Sequence, residues 1–425
     1  MTDSLVVYLH DKVVGKIARR AGGRIGFDFD EEYLRDPNRP TLSMSFASEN
    51  GEIVGGPRDA SSGLIPPFFS NLLPEGYLRK YLAEKAGVSE HREFEMLELL
   101  GQDLPGAAMV VRTEGSELSF GSTTAYEEEA PDGPLRFSLA GVQLKFSAIV
   151  DKRNSLTIPT HGMGGNWIVK LPTPRYDGLS ENEYSVMSMA DRLGVDVPEI
   201  RLMPVQDIAG LPDEVNEMPD ANAFVIRRFD RSSGRRIHTE DFAQVTARRP
   251  DDKYDTHVNY TALTRLIALA CSEDDAMDFS RRLMFNTIVG NGDMHLKNWS
   301  FIYPDDRTPK LAPAYDFMCT DIYAKNESLA LKLGSARQWH EITLEEFGRV
   351  ADGAGVNRAA FMGAAADMVT RFYALWEDNV HSLPMDDQLQ NVIERQMKRC
   401  PAIRSVLGQT RISHVQTKNK NWCRD

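Results

Sequence analysis

The chain has 425 residues, enough for two or three domains, and 42% of them are hydrophobic, as expected for a protein that buries a core. Its net charge of -13 excludes a chain that binds nucleic acid over its whole surface, because that function needs clustered Lys and Arg. Four cysteines without a C-x-x-C pair exclude a disulfide framework and a zinc cluster. No apolar run approaches the ~18 residues of a membrane span, and the first residues lack the basic start of a signal peptide, so we expect a cytoplasmic protein with no membrane partner.

The first segment, SLVVYLHDKVVGKIARRAGGRIGFDFD, has β-branched runs separated by Asp11-Lys12 and Gly22-Gly23, which predicts a small antiparallel sheet. The segment PPFFSNLLPEGYLRKYLAEKAGV predicts one helix that includes Leu73 and Tyr77 and stops at Gly87. A second helix is predicted in EHREFEMLELLG. The N-terminal part is therefore expected to combine a sheet with helices.

Strand-like pieces recur after a stretch rich in Gly, Ser, Thr, Glu and Pro: LRFSLA, LKFSAIV, NWIVKLP and AFVIRRFD, with an amphipathic helix, ENEYSVMSMADRLG, between the last two. Near Phe242 the pattern becomes helical, with helices predicted at Tyr260–Ala270, at Asp275–Val289 and beyond Lys332. We predict four parts: an N-terminal β-rich subdomain with helices at 1–112, a linker or exposed loop at 113–134, a β-rich lobe with a phosphate loop at 135–240, and a helical lobe with the catalytic loop and a basic end at 241–425.

The polar loop GNGDMHLKNWSF places Asp293 and Asn298 five positions apart at the end of a helix. Protein kinases use this spacing in the catalytic loop, where the Asp accepts the substrate hydroxyl proton and the Asn holds Mg2+. Asp and Asn are common loop residues, so the pattern alone is weak. In KLAPAYDFMCT, Asp316 precedes Phe317 as in the metal-binding D-F-G element, and the pieces WSFIY and KLAPAY predict a hairpin that returns Asp316 to Asn298.

Lys170 ends the apolar strand NWIVKLP, where a charge is costly without a partner, and is similar to the strand lysine that holds the α- and β-phosphates of ATP. Glu181 or Glu183 on the next helix could orient it. A lysine whose stem packs while its head reaches solvent is the alternative. The segment FSLAGVQLKFS is a turn whose backbone N–H groups could cradle phosphate, although its single glycine also suits a simple hairpin.

Taken together, these elements resemble the HipA family, the serine/threonine kinase toxins of bacterial type II toxin-antitoxin modules. The N-terminal sheet and the segments PPFFSNLLPEG, SLAGVQLK, WIVKLP, RRFDR, TEDFAQ, GDMHLKNWS and LAPAYD stand in the family's order and approximate spacing, over most of the chain. The resemblance implies an α+β fold that is protein-kinase-like and bilobed, with an N-terminal β-rich subdomain and an all-helical C-terminal lobe. It implies ATP and Mg2+ as cofactors.

The resemblance also implies individual roles. The phosphate loop would comprise Ala140, Gly141, Val142, Gln143, Leu144 and Lys145. Lys170 would hold phosphates, and the nucleoside would lie against Arg227, Arg228, Phe229, Asp230 and Gln244. Asp293 would be the catalytic base, with His295, Leu296, Lys297, Asn298, Tyr315 and Asp316 around nucleotide and metal and with Asn298 and Asp316 as the metal ligands. Ser138 matches the serine that family members autophosphorylate, an event that expels the loop and silences the kinase. Arg227 and Leu144 depart from the residues usual in relatives, without removing a group that the chemistry requires.

Partners are implied in the same way: a helix-turn-helix, HipB-like antitoxin dimer, operator DNA through that complex, and a protein substrate, for which the family alone suggests an aminoacyl-tRNA synthetase. Eight basic residues and no acidic one lie between Arg395 and Arg424, so this end could contact DNA or be a solvated tail. Two alternatives stay open. One is a catalytically silent co-repressor that binds the antitoxin. The other is a small-molecule phosphotransferase, whose loops usually read H-G-D where this chain has Asn291-Gly292 before Asp293.

Overall fold

The computed structural model describes residues 3–48, 52, 53, 58–60, 64–112, 145–150, 156, 157, 165–173, 175–211, 221–232, 234–324, 328–379 and 382–408. Its strands are β1 (Ser4–Leu9), β2 (Lys12–Arg19), β3 (Ile25–Phe29), β4 (Arg58–Ala60), β5 (Ala108–Arg112), β6 (Lys145–Val150), β7 (Leu156–Thr157), β8 (Trp167–Lys170), β9 (Ile200–Pro204), β10 (Ile208–Ala209), β11 (Asn222–Arg227), β12 (Arg231–Ser232), β13 (Arg235–Arg236), β14 (His238–Asp241), β15 (Ser300–Tyr303) and β16 (Lys310–Leu311).

The helices are α1 (Glu31–Arg35), α2 (Pro67–Ser70), α3 (Gly76–Ala86), α4 (Glu93–Leu100), α5 (Leu179–Arg192), α6 (Phe242–Val245), α7 (Tyr260–Ala270), α8 (Glu273–Val289), α9 (Leu344–Ala354), α10 (Arg358–Asn379) and α11 (Asp387–Arg399). Residues 401–408 are also helical. None of the described helices is both long and apolar enough to cross a bilayer. The predicted linker at 113–134, the piece LRFSLA, and Ser138, Ala140, Gly141, Val142, Gln143 and Leu144 lie outside the described residues.

The N-terminal sheet has the strand order β4-β3-β2-β1-β5 with every neighbouring pair antiparallel, which confirms the prediction for this segment. Gly15 lets β2 and β3 approach, because a Cβ there would lie 2.2 Å from the carbonyl oxygen of Asp28. Phe27 is fully buried, with its ring 4.9 Å from that of Phe69. The sheet therefore packs its apolar side against the helices that follow it.

The single helix predicted for PPFFSNLLPEGYLRKYLAEKAGV is wrong at its start. The structure has two helices there, and Leu73 lies between α2 and α3. Pro74 explains the break, because proline has no N–H to donate and restricts the residue before it. The predicted stop is confirmed, since Gly87 adopts a left-handed backbone with φ of 66° after α3.

A second sheet has the order β10-β7-β6-β8-β11-β9 and contains the predicted strands LKFSAIV, NWIVKLP and AFVIRRFD. β7 and β10 are parallel, and the other neighbours are antiparallel. Phe146, Val169 and Val225 are fully buried and belong to the same hydrophobic cluster as Phe27. This shared core stabilises the sheet on which the predicted phosphate-binding lysines lie.

The chain divides into two compact units. The first comprises Met1–Ser180, Pro198–Lys253 and Trp299–Ala312 and contains the described sheets; the second comprises Glu181–Val197, Tyr254–Asn298 and Pro313–Asp425 and is mainly helical. The units cut across the four parts that we predicted from the sequence. The three boundaries between those parts stay a prediction.

In the helical unit, α8 carries the chain to the predicted catalytic loop. Ser272 caps its first turn by accepting a hydrogen bond from the amide of Asp275, so α8 begins two residues earlier than predicted. The Phe285 ring lies 5.8 Å from that of Phe317 and 6.0 Å from that of Phe372 on α10. These contacts hold the end of α8 in place by burying its apolar side.

Candidate active site

The loop begins with a sharp turn at the end of α8. Gly290 has φ of 72°, a left-handed conformation that favours glycine. The buried Asn291 then folds back, donating from its backbone N–H to the carbonyl of Asn286 at 2.9 Å and from its side chain to Asn286 Oδ1 at 2.8 Å. The next residues are thereby directed away from the helix axis.

Asp293 and Asn298, the pair predicted from their spacing, are joined by a hydrogen bond. Asn298 Nδ2 donates to the carbonyl oxygen of Asp293 at 2.9 Å. The Asn298 nitrogen is thus occupied, so its Oδ1 is the atom suited to a hard cation. His295 and Lys297 between them are buried, whereas Asp293 is partly exposed. Of Asp293, His295 and Lys297, only Asp293 is partly exposed. Its carboxylate is the group that we expect to meet the substrate.

Tyr254 also contacts this loop, and the sequence analysis missed it. Its hydroxyl donates a hydrogen bond to Asp293 Oδ1. Its ring packs edge-on against the imidazole of His295, with centroids 5.0 Å apart. Tyr254 lies 39 positions before Asp293. No local motif links two residues so far apart in sequence.

Asp316 is returned to the loop by the predicted hairpin. β15 and β16 pair antiparallel through Phe301 and Leu311, which confirms the hairpin. Beyond it, the Tyr315 hydroxyl donates to the carbonyl of Lys297 at 2.9 Å, and Asn291 Nδ2 lies 3.5 Å from the carbonyl of Asp316. Asp316 itself has φ of 56°. A left-handed Asp is uncommon and costs conformational energy, as is often found at functional sites.

Further contacts that the sequence did not reveal fix the segment after Asp316. Thr320 Oγ1 accepts a hydrogen bond from the amide of Gly292 at 2.8 Å. Asn182 on α5 makes two bonds with the backbone of Cys319, each of 2.9 Å. The segment after Asp316 is therefore bonded both to the predicted catalytic loop and to α5.

The donor set fits a magnesium ion. In the part of the chain that the structure describes, no group of three or more His, Cys, Asp or Glu is arranged to hold a metal. The Asp316 carboxylate and Asn298 Oδ1 are hard oxygen donors, and Mg2+ is commonly held by one or two protein oxygens together with phosphate and water. The residues thus suit a metal that arrives with a nucleotide.

In the first unit, Lys145 and Lys170 are directly opposite each other on the antiparallel strands β6 and β8. Both are buried, and Lys170 Nζ lies 5.6 Å from the centre of the Phe224 ring. Opposite residues of a strand pair project to the same face, where two positive charges repel. Phosphate binding by these two lysines stays a prediction. Glu183 on α5 is buried. The pairing of Lys170 with Glu181 or Glu183 stays a prediction.

The predicted nucleoside residues make contacts within the first unit. Asp230 accepts hydrogen bonds from Arg228 at 2.8 and 2.9 Å, from Arg231 at 2.7 Å and from the amide of Gly106 at 2.8 Å. Burial alone would raise the pKa of Asp230, but the two guanidinium groups and the amide hold it below its usual range. This network fixes the chain that follows β11.

Gln244 donates from Nε2 to the carbonyl of Phe68 at 3.0 Å and accepts from the amide of Asp241 at 2.8 Å. The side chain of Arg227 is half exposed, and Phe229 is partly exposed. Nucleotide contacts stay a prediction for all five of these residues: Arg227, Arg228, Phe229, Asp230 and Gln244.

Comparison with known proteins agrees with this arrangement. Residues 5–111 match the HipA N-terminal domain, and residues 137–376 match the HipA-like C-terminal domain. The protein Y4dM of Sinorhizobium fredii is 44% identical over 393 residues, 92% of this chain and 95% of that protein. The serine/threonine-protein kinase toxin HipA of Shewanella oneidensis is 26% identical over 399 residues, 84% of each chain.

A solved structure shows the same fold. The HipA chain in the complex of Shewanella oneidensis HipA, HipB and operator DNA superposes with a TM-score of 0.72 at 22% identity, covering 95% of this chain and 99% of that one. The predicted kinase-like fold with a helical C-terminal region is confirmed. The chain matches the models of both HipA domains and is 44% identical to a relative over nearly its whole length. It therefore belongs to the HipA family.

Proposed function

We propose that this protein is an ATP- and Mg2+-dependent serine/threonine protein kinase and the toxin of a type II toxin-antitoxin module. The observation that carries the proposal is the hydrogen bond from Asn298 to the Asp293 carbonyl, together with the Tyr315 bond to Lys297 that brings the Asp316 segment to the same loop. Similarity to the Shewanella oneidensis toxin kinase supports the substrate class.

In this function, the Asp293 carboxylate accepts the proton of a substrate Ser or Thr hydroxyl as that oxygen attacks the γ-phosphorus of ATP. The bond from the γ-phosphorus to the bridging oxygen breaks, and ADP leaves with that oxygen. Asn298 and Asp316 would hold magnesium, which when bound neutralises charge on the phosphates. Lys145 and Lys170 attract the α- and β-phosphates. Catalysis then depends on positioning and electrostatics rather than on covalent chemistry of the protein.

The remaining roles follow the family resemblance. His295, Leu296 and Lys297 contact the nucleotide beside the metal, and Arg227, Arg228 and Phe229 lie beside adenine. Asp230 and Gln244 approach the nucleoside. The segment that contains Ser138 and the loop Ala140 to Lys145 covers the phosphates and is phosphorylated at Ser138.

The partner proposal is a HipB-like helix-turn-helix antitoxin dimer, with operator DNA bound through that complex. The fold shared with a HipA chain solved together with HipB and operator DNA supports it. An aminoacyl-tRNA synthetase as the phosphorylated protein rests on the family resemblance alone.

The test is to incubate phosphatase-treated protein with ATP and Mg2+ and to measure its intact mass. We expect one added phosphoryl group that maps to Ser138 and is absent from Ser138→Ala. Asp293→Asn should slow the reaction by about 10²- to 10⁴-fold, because proton transfer is lost, while ATP binding is retained. Asp274→Asn, the same change at an exposed position in the first turn of α8, is the matched control.

Each alternative gives a distinct result. ATP binding without phosphorylation of any protein would indicate a silent co-repressor. Phosphorylation of small amino alcohols or aminoglycosides without protein phosphorylation would indicate a small-molecule phosphotransferase. Full activity of Asp293→Asn would refute the assignment of the base.

A further inference from the structure

Tyr254 lies beside the catalytic loop, with its hydroxyl bonded to the Asp293 carboxylate. It precedes α7, is 44% exposed, and belongs with Asp293 and His295 to the helical unit. Among the residues that the structure describes, its hydroxyl is the only side-chain donor to the Asp293 carboxylate. We propose that Tyr254 is a positioning residue for Asp293, an inference that rests on the proposed kinase function.

The backbone of Asp293 is fixed independently of Tyr254. Its carbonyl accepts hydrogen bonds from Asn298 Nδ2 at 2.9 Å and from the His295 amide at 2.8 Å, and its own amide donates to Asn291 Oδ1 at 3.2 Å. These bonds leave the rotation of the carboxylate plane about the side-chain bonds undetermined, because none of them reaches a carboxylate oxygen. The Tyr254 hydroxyl supplies that missing restraint.

The Tyr254 ring is itself held. Its edge-on contact with His295 has an interplanar angle of 82°, and aromatic pairs favour this geometry. His295 is 5% exposed, and its Nδ1 accepts from the Lys297 amide at 3.3 Å. The phenol is therefore backed by a buried side chain rather than by solvent, so its hydroxyl defines a fixed direction for the carboxylate.

The hydrogen bond from Tyr254 orients the Asp293 carboxylate and leaves it able to accept a proton. An ionised carboxylate has about four acceptor positions on its two oxygens, and the phenol uses one of them on Oδ1. The other positions stay available for the proton of the substrate hydroxyl. Holding a reacting group within its productive geometry is a large part of phosphoryl-transfer catalysis, and small misplacements cost about 10²-fold in rate.

The test is Tyr254→Phe, which keeps the ring on His295 and removes only the hydroxyl. Autophosphorylation is followed by intact mass, starting from phosphatase-treated protein over a range of ATP concentrations. We expect the rate constant at saturating ATP to fall by about 10- to 10²-fold. The ATP concentration for half-maximal rate and the thermal midpoint should stay as in wild type. Tyr373→Phe, the same change on α10, is the matched control.

The other outcomes overturn the inference. An unchanged rate constant would show that the hydroxyl does not orient the base. A faster reaction would show that Tyr254 blocks the site. A parallel loss of ATP affinity and thermal stability would show a structural role only. If wild type and Asp293→Asn both lack phosphoryl transfer, the proposed function itself fails; if wild type is active and Tyr254→Phe equals it, only this inference fails.

Discussion

Asp316 shows how one residue combines a backbone and a charge requirement. Its φ of 56° lies in the left-handed region, which Asn and Asp tolerate better than other residues with a side chain. Asp316→Asn should therefore keep the turn and lose the charge, whereas Asp316→Ala should lose the charge and also strain the backbone. The two variants separate metal binding from folding.

We expect Asp316→Asn to raise the Mg2+ concentration for half-maximal autophosphorylation by about 10-fold or more, with no change in thermal stability. Asp316→Ala should show the same Mg2+ effect and lose about 1 kcal/mol of unfolding free energy. Mg2+ titrations and denaturant unfolding measure the two effects. An Mg2+ requirement equal to that of wild type in Asp316→Asn would exclude this residue as a ligand.

Individual residues of the site were predictable only where local spacing carried information. Asp293 and Asn298 are five positions apart, and a short hairpin separates Asn298 from Asp316, so their proximity follows from local structure. Tyr254 and Asn182 reach the same region from distant segments. Their positions depend on how helices pack, and a single sequence does not specify that packing.

At the scale of elements, β14 holds the segment before β4 through a buried polar cluster. Glu240 accepts hydrogen bonds from Ser43 Oγ at 2.5 Å, from the Met44 amide at 3.0 Å and from the Tyr303 hydroxyl on β15. His238 bonds the Leu42 carbonyl at 2.8 Å, and its ring stacks on that of Tyr303. Both Glu240 and His238 are fully buried.

Glu240 and His238 should affect the pH dependence of stability in opposite directions. Burial raises the pKa of Glu240 to about 7, against the hydrogen bonds from Ser43, Tyr303 and Met44. Between about pH 4.5 and 7 the folded state then keeps a proton that the unfolded state loses, so stability falls as pH rises.

Burial lowers the pKa of His238 to about 4, with smaller effects of the Leu42 carbonyl and nearby charges. Between about pH 4 and 6.5 the unfolded state binds the extra proton, so stability rises with pH.

We therefore expect Glu240→Gln to gain unfolding free energy relative to wild type as pH rises from about 4.5 to 7, by at most on the order of 3 kcal/mol. His238→Gln should lose free energy relative to wild type between about pH 4 and 6.5. Denaturant unfolding at several pH values measures both differences, and other titrating groups cancel in the comparison. Differences of the same sign in the two variants would contradict these protonation states.

Element prediction succeeded where periodicity and capping agree. The bounds of α7 are those predicted, and α8 differs only by its capped first turn. The order and register of the sheets were not predictable, because pairing between distant strands is not encoded locally. The register that places Lys145 opposite Lys170 is one such long-range feature.

At the scale of the whole molecule, a net charge of -13 contrasts with the basic end of the chain. Arg395 and Arg399 on α11 contact Asp321 at 3.1 and 3.0 Å, and the Asp321 side chain is 3% exposed. The Asp321 amide donates to the carbonyl of Gly290 at 3.1 Å, at the start of the predicted catalytic loop. Arg395 and Arg399 thus stabilise the helical unit. The proposed contact with operator DNA depends on the basic residues that follow them, from Arg404 to Arg424.

The two groups of basic residues can be separated by substitution. Replacing Arg404, Arg411, Lys418, Lys420 and Arg424 with Gln should leave the unfolding free energy unchanged and weaken operator binding by the complex with antitoxin. The slope of log K against log salt concentration should fall in magnitude by about 0.9 for each DNA phosphate that the chain no longer neutralises, because fewer counterions are released. Fluorescence anisotropy with labelled operator at several salt concentrations measures the slope.

Arg395→Gln combined with Arg399→Gln is the matched control, because it removes two charges from the same end. This pair should lower the unfolding free energy by about 2 kcal/mol, less than for a fully buried ion pair because both guanidinium groups are partly exposed. Its salt slope should equal that of wild type. An unchanged slope after substitution of the five later residues would show that the end of the chain is a solvated tail, and operator recognition would then belong to the antitoxin alone.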